Sequence, residues 1–257
     1  MIARHILSPG RMQGEALVSS NRLPLAGQVA LVTGSSRGIG LAIARRIGKL
    51  GAKVSLCARH EDALETARRT LAEEDISALA TPADITHGEQ VERLVEVTRR
   101  QLGEIDVVVN NAGVGWFGPL HEASESDWDQ VVDTNLKAPF LLMRTVAPFM
   151  IERRRGHFIQ IASLAGKNAF AGGGVYCASK WGLLGMSYSA AEDLRRFGIR
   201  TSVICPGSVL TEFSPHAGKD PRKLLQPDDV AHAVEMVLLA KPQSFISEVL
   251  LRPTEKP

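Results

Sequence analysis

The sequence predicts an α/β protein built on one doubly wound parallel sheet, with helices covering both faces in a three-layer arrangement. Three observations carry this. Short apolar runs alternate with longer stretches of helical periodicity from about residue 25 onward. The runs are apolar almost throughout, as in strands buried on both faces. No linker or internal repeat interrupts residues 25–251, so the alternation reads as successive right-handed crossovers within one domain.

The first run, residues 29–33, ends at Gly34, and a helix follows over 38–50 with Ile39, Ala42, Ile43 and Ile47 marking its faces. A second strand spans 53–57, an Ala-, Glu- and Arg-rich helix 61–74, and a third strand 78–80, leaving through Pro82-Ala83-Asp84. A polar-faced helix over 87–102 turns Val91, Leu94, Val95 and Val97 inward, and residues 106–109 form the fourth strand. Ser124 with Asp127 three residues on is a capping signature; it opens one long helix reaching about Glu152. Strands at 156–162, 200–205 and 245–251 alternate with helices at 175–196 and 227–239. Residues 1–24, with three arginines, one acid and no sustained periodicity, read as a disordered leader, and 252–257 as a short tail.

Composition excludes several functions. Thirty Lys and Arg against 28 Asp and Glu leave a net charge of +2, too small a field to drive nucleic-acid binding. No apolar run approaches the roughly 20 residues of a membrane helix. Cys57, Cys177 and Cys205 are far apart and odd in number, which predicts free thiols in a reducing, cytoplasmic compartment. The seven histidines form no close ligand pair, so no metal site is expected.

The chemistry starts at Thr33-Gly34-Ser35-Ser36-Arg37-Gly38-Ile39-Gly40, between the first strand and its helix. Glycines let the backbone turn tightly and let a phosphate come close, and a helix start offers free N–H groups and a positive dipole end. A tight turn without a ligand is the plainer reading of a lone glycine cluster. Tyr176 and Lys180 lie four apart on one face of a predicted helix. A nearby ammonium favours a phenolate, so the pair suits a tuned acid–base group. Alone, it also fits an amphipathic helix with a buried tyrosine and a solvated lysine.

The spacing Thr-Gly-x3-Gly-Ile-Gly resembles the coenzyme turn of the short-chain dehydrogenase/reductase family. Asn110-Asn111-Ala112-Gly113 after the fourth strand, Asn135, Ser163 after the fifth strand, Tyr176-x3-Lys180, and Pro206-Gly207 with Thr211 after the sixth all match its motifs in order. The resemblance covers residues 25–251 and implies a single-domain Rossmann-like fold. It implies that Tyr176 exchanges a proton with the substrate oxygen and that Ser163 hydrogen-bonds that oxygen. Lys180 would hold the nicotinamide ribose and lower the Tyr176 pKa, and Asn135 would anchor a water linking Lys180 to solvent. It places Gly34, Ser36, Arg37, Gly38, Ile39, Gly40, Ala112, Gly113, Pro206, Gly207 and Thr211 along the cofactor. Asn110 would touch the adenosine half through its backbone, and Asp84 the adenine amino group unless it simply closes an Asx-turn.

An acid at the end of the second strand would accept from the ribose 2′-hydroxyl and select NAD. Ala58 stands there, followed by Arg59, with Arg37 in the glycine turn. Two guanidinium groups and no acid predict NADP(H). The expected activity is carbonyl–alcohol interconversion, on a 3-oxoacyl thioester of an acyl carrier or on small hydroxy acids, diketones or aldehydes. A non-catalytic dinucleotide-binding protein would have no need of the Ser163, Tyr176, Lys180 and Asn135 set. The substrate pocket is expected from 114–117, 164–170 and 208–213, under a lid at 211–226 whose basic end (Lys219, Arg222, Lys223) reads first as a solvated loop and otherwise as a contact for an acidic carrier or a phosphate. The tail Leu250-Leu251-Arg252-Pro253-Thr254 departs from the Gly-Gly end of many acyl-thioester reductases.

Assembly is expected as a homodimer or homotetramer. Leu136, Phe140, Met143, Ala147 and Met150 are read as one apolar face of the long helix, and Leu141, Leu142, Val146 and Phe149 as a further stripe. In the family this helix and the one from Val175 pair with their copies across a two-fold axis.

Overall fold

The structure, a computed structural model, describes residues 23–213, 220–241 and 243–255. Its strands are β1 (Val29–Thr33), β2 (Lys53–Ala58), β3 (Ala78–Pro82), β4 (Val107–Asn110), β5 (Gly156–Ile161), β6 (Ile199–Pro206) and β7 (Glu248–Leu251). They form one parallel sheet in the order β3-β2-β1-β4-β5-β6-β7. The helices are α1 (Gly38–Lys49), α2 (Glu61–Ala72), α3 (Gly88–Leu102), α4 (Glu125–Val132), α5 (Ala138–Arg153), α6 (Gly174–Arg195) and α7 (Pro227–Leu238).

Strand alternation decides which face each residue serves. Ala30, Val32, Val107 and Val109 point to the layer of α1, α2 and α7, where they meet Ile43, Ile47, Leu64, Leu71, Val230 and Val234. Leu31 and Val108 point the other way, to Leu94, Leu142, Val146, Met150 and Phe158 in the layer of α3 and α5. Both sheet faces are therefore apolar and covered. The strand order reverses between β1 and β4, which leaves a crevice beyond their carboxyl ends.

At the opposite edge, Asp106 is buried and ties three segments together. Its Oδ2 accepts from Val29 N at 3.0 Å, and its Oδ1 from Arg153 Nη1 at 3.1 Å and Arg155 Nη2 at 2.7 Å. The carboxylate is thus paired and hydrogen-bonded, as a buried charge must be.

The predicted helix over 124–152 is not one helix. Ser124 caps α4 as the sequence indicates, accepting from Asp127 N at 3.1 Å while Asp127 Oδ2 accepts from Ser124 N at 3.0 Å. A π-turn at Asp133–Lys137 then separates α4 from α5, closed by Ala138 N–H donating to Asp133 C=O. The extra residue in this turn rotates Asn135 inward, where it is wholly buried.

The faces of α5 also differ from expectation. Leu141, Leu142 and Val146, read as a surplus stripe, pack inside the chain with Met143 and Met150, whereas Phe140 stays 47% exposed. On α6, Trp181 and Tyr188 are exposed as well. The last strand begins at Glu248 rather than 245: the Ser202 hydroxyl, not a ladder amide, donates to Ile246 C=O at 2.6 Å. Residues 1–22 of the predicted leader, 214–219 of the predicted lid and 256–257 of the tail lie outside the described residues. Among the described residues, no helix is long and apolar enough to cross a membrane.

Candidate active site

A cleft of about 1170 Å³ opens at the switch point. One end is the turn after β1. Gly34 (φ +63°) and Gly38 (φ +57°) sit in the left-handed region that favours glycine. Gly40 serves closeness instead: a Cβ there would lie 2.2 Å from Gly34 O. Helix α1 starts at this turn with no side-chain cap, so its first N–H groups are offered to the cleft. Gly34, Ser36, Arg37, Gly38, Ile39 and Gly40 all line it.

Two clamps hold the turn. Ser35 Oγ accepts from Cys57 N and donates to Val32 O, both at 2.9 Å, fastening it to β2. Asn111 Nδ2 donates to Thr33 O at 2.8 Å and Gly34 O at 3.2 Å, while Thr33 Oγ1 accepts from Asn111 N and Ala112 N at 3.0 Å. Asn111 and Thr33 were not singled out from sequence. The second Asn of the Asn-Asn pair is the signal that could have found them. Ala112 and Gly113 line the cleft as expected, but Asn110 does not: it ends β4 as a buried residue whose side-chain amide has no partner among the described residues.

Near β2 the wall is Ala58 and Arg59, with no acid at the strand end. Arg37 Nη1 pairs with Glu212 at 2.6 Å, and both side chains are largely exposed, so the pair is weak and easily exchanged. Asp84 lines the cleft and also closes an Asx-turn, accepting from Thr86 N at 3.0 Å and Thr86 Oγ1 at 2.7 Å. Pro206, Gly207 and Thr211 line the far wall. The tail returns there: Pro253 packs against Gly207, and Arg252 and Glu255 reach the rim.

At the other end, Ser163, Tyr176 and Lys180 come together. Ser163 Oγ accepts from Ala165 N at 3.1 Å, which orients it at the end of β5. Burial pushes the Tyr176 phenol up to about 12, opposed by its hydrogen bond with Ser163. Lys180 is not a solvated lysine. It is 3% exposed, donates to Ile161 C=O at 3.0 Å, and burial pushes it down to about 8. In this chain by itself burial, not the ammonium 5.8 Å from the ring centre, therefore dominates the tyrosine.

Asn135 stands behind the cleft. Its Nδ2 donates to Val114 O at 2.8 Å and Ser179 Oγ at 3.0 Å, and its Oδ1 accepts from Val114 N at 2.9 Å. Both amide hydrogens are used, so the side chain fixes the loop after β4 against α6. Of the expected pocket, Val114, Phe117, Leu164, Ala165, Phe170 and Phe213 line the cleft, and Trp116 does not.

The buried lysine has a measurable signature. Its native value lies below its ordinary 10.5, so between about pH 8 and 10.5 the unfolded chain holds a proton that the native chain has released. Stability from this group rises with pH across that window, by up to ~1.4 kcal/mol per unit. Urea midpoints of wild type and Lys180→Met, compared from pH 7.5 to 10 (~half-unit steps), should show wild type gaining on the variant as pH rises. Parallel curves would contradict a buried, depressed lysine.

A family model described as short chain dehydrogenase matches residues 28–222. An uncharacterized oxidoreductase of Staphylococcus aureus is 31% identical over 229 residues, covering 89% of this chain and 98% of that protein. The glycine betaine reductase of Emericella nidulans is 32% identical over 91% of this chain, which spans only 19% of that protein's length. Among solved structures, a metagenomic short-chain oxidoreductase in complex with NADP superposes with a TM-score of 0.80 at 46% identity, covering 90% of this chain and 99% of that one. An actinorhodin polyketide ketoreductase variant with NADPH gives 0.82 at 33% identity, over 88% of this chain and 95% of that one. With the fold and the motif positions in place, the match over most of the chain makes this protein a member of the short-chain dehydrogenase/reductase family.

Proposed function

We propose that this chain is an NADP(H)-dependent carbonyl reductase that also runs the reverse alcohol oxidation. The observation that carries the reading is Ser163, Tyr176 and Lys180 gathered at one end of a cleft whose other end is an uncapped helix start. The residues present fit the cofactor. Gly40 lets the start of α1 close onto the end of β1, the first N–H groups of α1 suit a pyrophosphate, and Arg59 and Arg37 suit a 2′-phosphate with no acid at position 58 to repel it. The NADP- and NADPH-bound relatives support this choice.

When bound, the nicotinamide supplies a hydride to the carbonyl carbon. Tyr176 donates its proton to the carbonyl oxygen, and Ser163 hydrogen-bonds that oxygen as negative charge develops. Lys180 lies one helical turn from Tyr176, placed to hold ribose hydroxyls and to lower the phenol once charged neighbours arrive. Asn135 is a positioning residue, holding the Val114 loop beneath the substrate.

Likeness to a polyketide ketoreductase favours a 3-oxoacyl thioester as a second reading. Against a carrier-bound one, the basic segment is partly neutralised: Arg222 pairs with Asp220 at 3.0 Å and Lys223 with Glu255 at 2.6 Å. The three cysteines are free and buried, which supports a reducing, cytoplasmic setting. Phe140 on α5 with Trp181 and Tyr188 on α6 are exposed apolar side chains of the two family interface helices, which supports a homodimer or homotetramer.

Three measurements test these readings. Tyr176→Phe keeps the ring and removes the proton donor: ketone turnover should fall by at least ~100-fold with NADPH binding retained, and near-normal turnover would show another acid at work. Wild type should bind NADPH at least about tenfold more tightly than NADH, ~1.4 kcal/mol, and Arg59→Asp should reverse the order in fluorescence titrations. Light scattering should give a multiple of the 27.8 kDa chain, reduced by Phe140→Glu; a clean single-chain mass would remove the interface.

A further inference from the structure

We propose that the substrate is an uncharged ketone carrying an aryl group close to its carbonyl; this rests on the carbonyl-reductase reading. The chain has eight phenylalanines and two tyrosines; two of the former meet the tyrosine of the site, and a third meets one of those two. Phe117 follows β4, Phe170 follows β5 and Phe213 follows β6, so three separate loops bring their rings to one place. The Phe117 centre lies 5.4 Å from that of Tyr176, and Phe213 5.7 Å. Phe117 in turn lies 6.4 Å from both Phe170 and Phe213. All three phenylalanines line the cleft, and they remain 40%, 49% and 41% exposed. Large apolar rings left open inside a concavity, beside few polar groups, are the usual wall of a ligand site.

The wall is built in. A Cβ at Gly115 would stand 2.6 Å from the Phe117 ring, and one at Gly173 2.5 Å from the Phe170 ring. The outer edge of each ring therefore lies against a glycine that makes room for it. The polar end of the wall is Tyr176 with Ser163 on the same cleft, which sets the carbonyl oxygen at its edge and the aryl substituent against the rings. Aromatic pairs favour offset or edge-to-face contact at these spacings.

Charge points the same way. Among the described residues no cation sits over Phe117, Phe170 or Phe213; the cations of the cleft wall are at the glycine turn, at the tail's rim and, as Lys180, beneath Tyr176. Glu212 makes only an exposed pair with Arg37, and Glu255 pairs with Lys223. An oxo acid finds no counter-charge at the rings. The rings also touch one another, so they form a wall and not the open box that a quaternary ammonium requires.

The test compares ethyl 3-oxo-3-phenylpropanoate with ethyl 3-oxobutanoate, 3-oxobutanoate and betaine aldehyde in NADPH-coupled kinetics. Wild type should favour the phenyl ester over each of the others by at least about tenfold in kcat/KM. Phe117→Ala should collapse the phenyl-to-methyl ratio toward one, and Phe213→Leu, which keeps apolar volume, should lower it. NADPH affinity and melting temperature report that both variants are folded. Equal or reversed preference in wild type, a preference for either charged compound, or a ratio unmoved by both substitutions would overturn the aryl site. A binding arm separates this from failure of the reductase reading: the phenyl ester is titrated into the Tyr176→Phe protein with NADPH. Binding that depends on Phe117 while wild type reduces no ketone would uphold the aryl site and reject the reductase. Reduction of both esters at equal efficiency would do the reverse.

Discussion

The approach of Gly40 to the Gly34 carbonyl is the constraint from which the cleft is built. It brings the first turn of α1 against the end of β1, closer than any side chain would allow. The helix start then has no cap of its own and faces the crevice where the strand order reverses. Asn111 and Thr33 hold this geometry from β4, and Ser35 holds it from β2. The backbone donors at this helix start are therefore preset, which suits a phosphate with little reorganisation left for binding.

Burial governs the other end of the cleft. Lys180 and Asn135 are almost wholly enclosed, and each makes specific polar contacts that enclosed groups require. The same enclosure raises the phenol and lowers the ammonium. The phenol is thus neutral at neutral pH and the ammonium sits close to its titration range, which lets a small number of contacts shift either group. The π-turn between α4 and α5 contributes here, because it turns a polar residue of a long helix toward the interior.

Aromatic and charged residues divide the cleft between them. Arg37 stands in the glycine turn and Arg59 just after β2, while Phe117 and Phe213 gather at Tyr176 with Phe170 beside Phe117. The cleft thus joins a polar, phosphate-suited half to an apolar half, with Tyr176 at their junction. The tail closes the far rim through Pro253 on Gly207, so residues beyond β7 take part in shaping the site.

The sequence by itself determined the strand and helix order, the glycine turn, the Ser163, Tyr176 and Lys180 positions, and the missing acid at Ala58. These are local signals: apolar period, turn chemistry and fixed spacing survive in one dimension. Only the tertiary structure decided what depends on distant partners. It split the helix over 124–152 at a π-turn, sent Leu141, Leu142 and Val146 to the core and left Phe140 outside. It put Asn111 rather than Asn110 on the cleft, and made Lys180 a buried group. It also gathered phenylalanines from three loops into one cluster that reaches Tyr176 through Phe117 and Phe213. Periodicity reports that a residue is apolar or that a helix has several apolar faces. Which face meets the sheet, and which loops meet each other, is settled by how the strands are ordered and how the connections return over them.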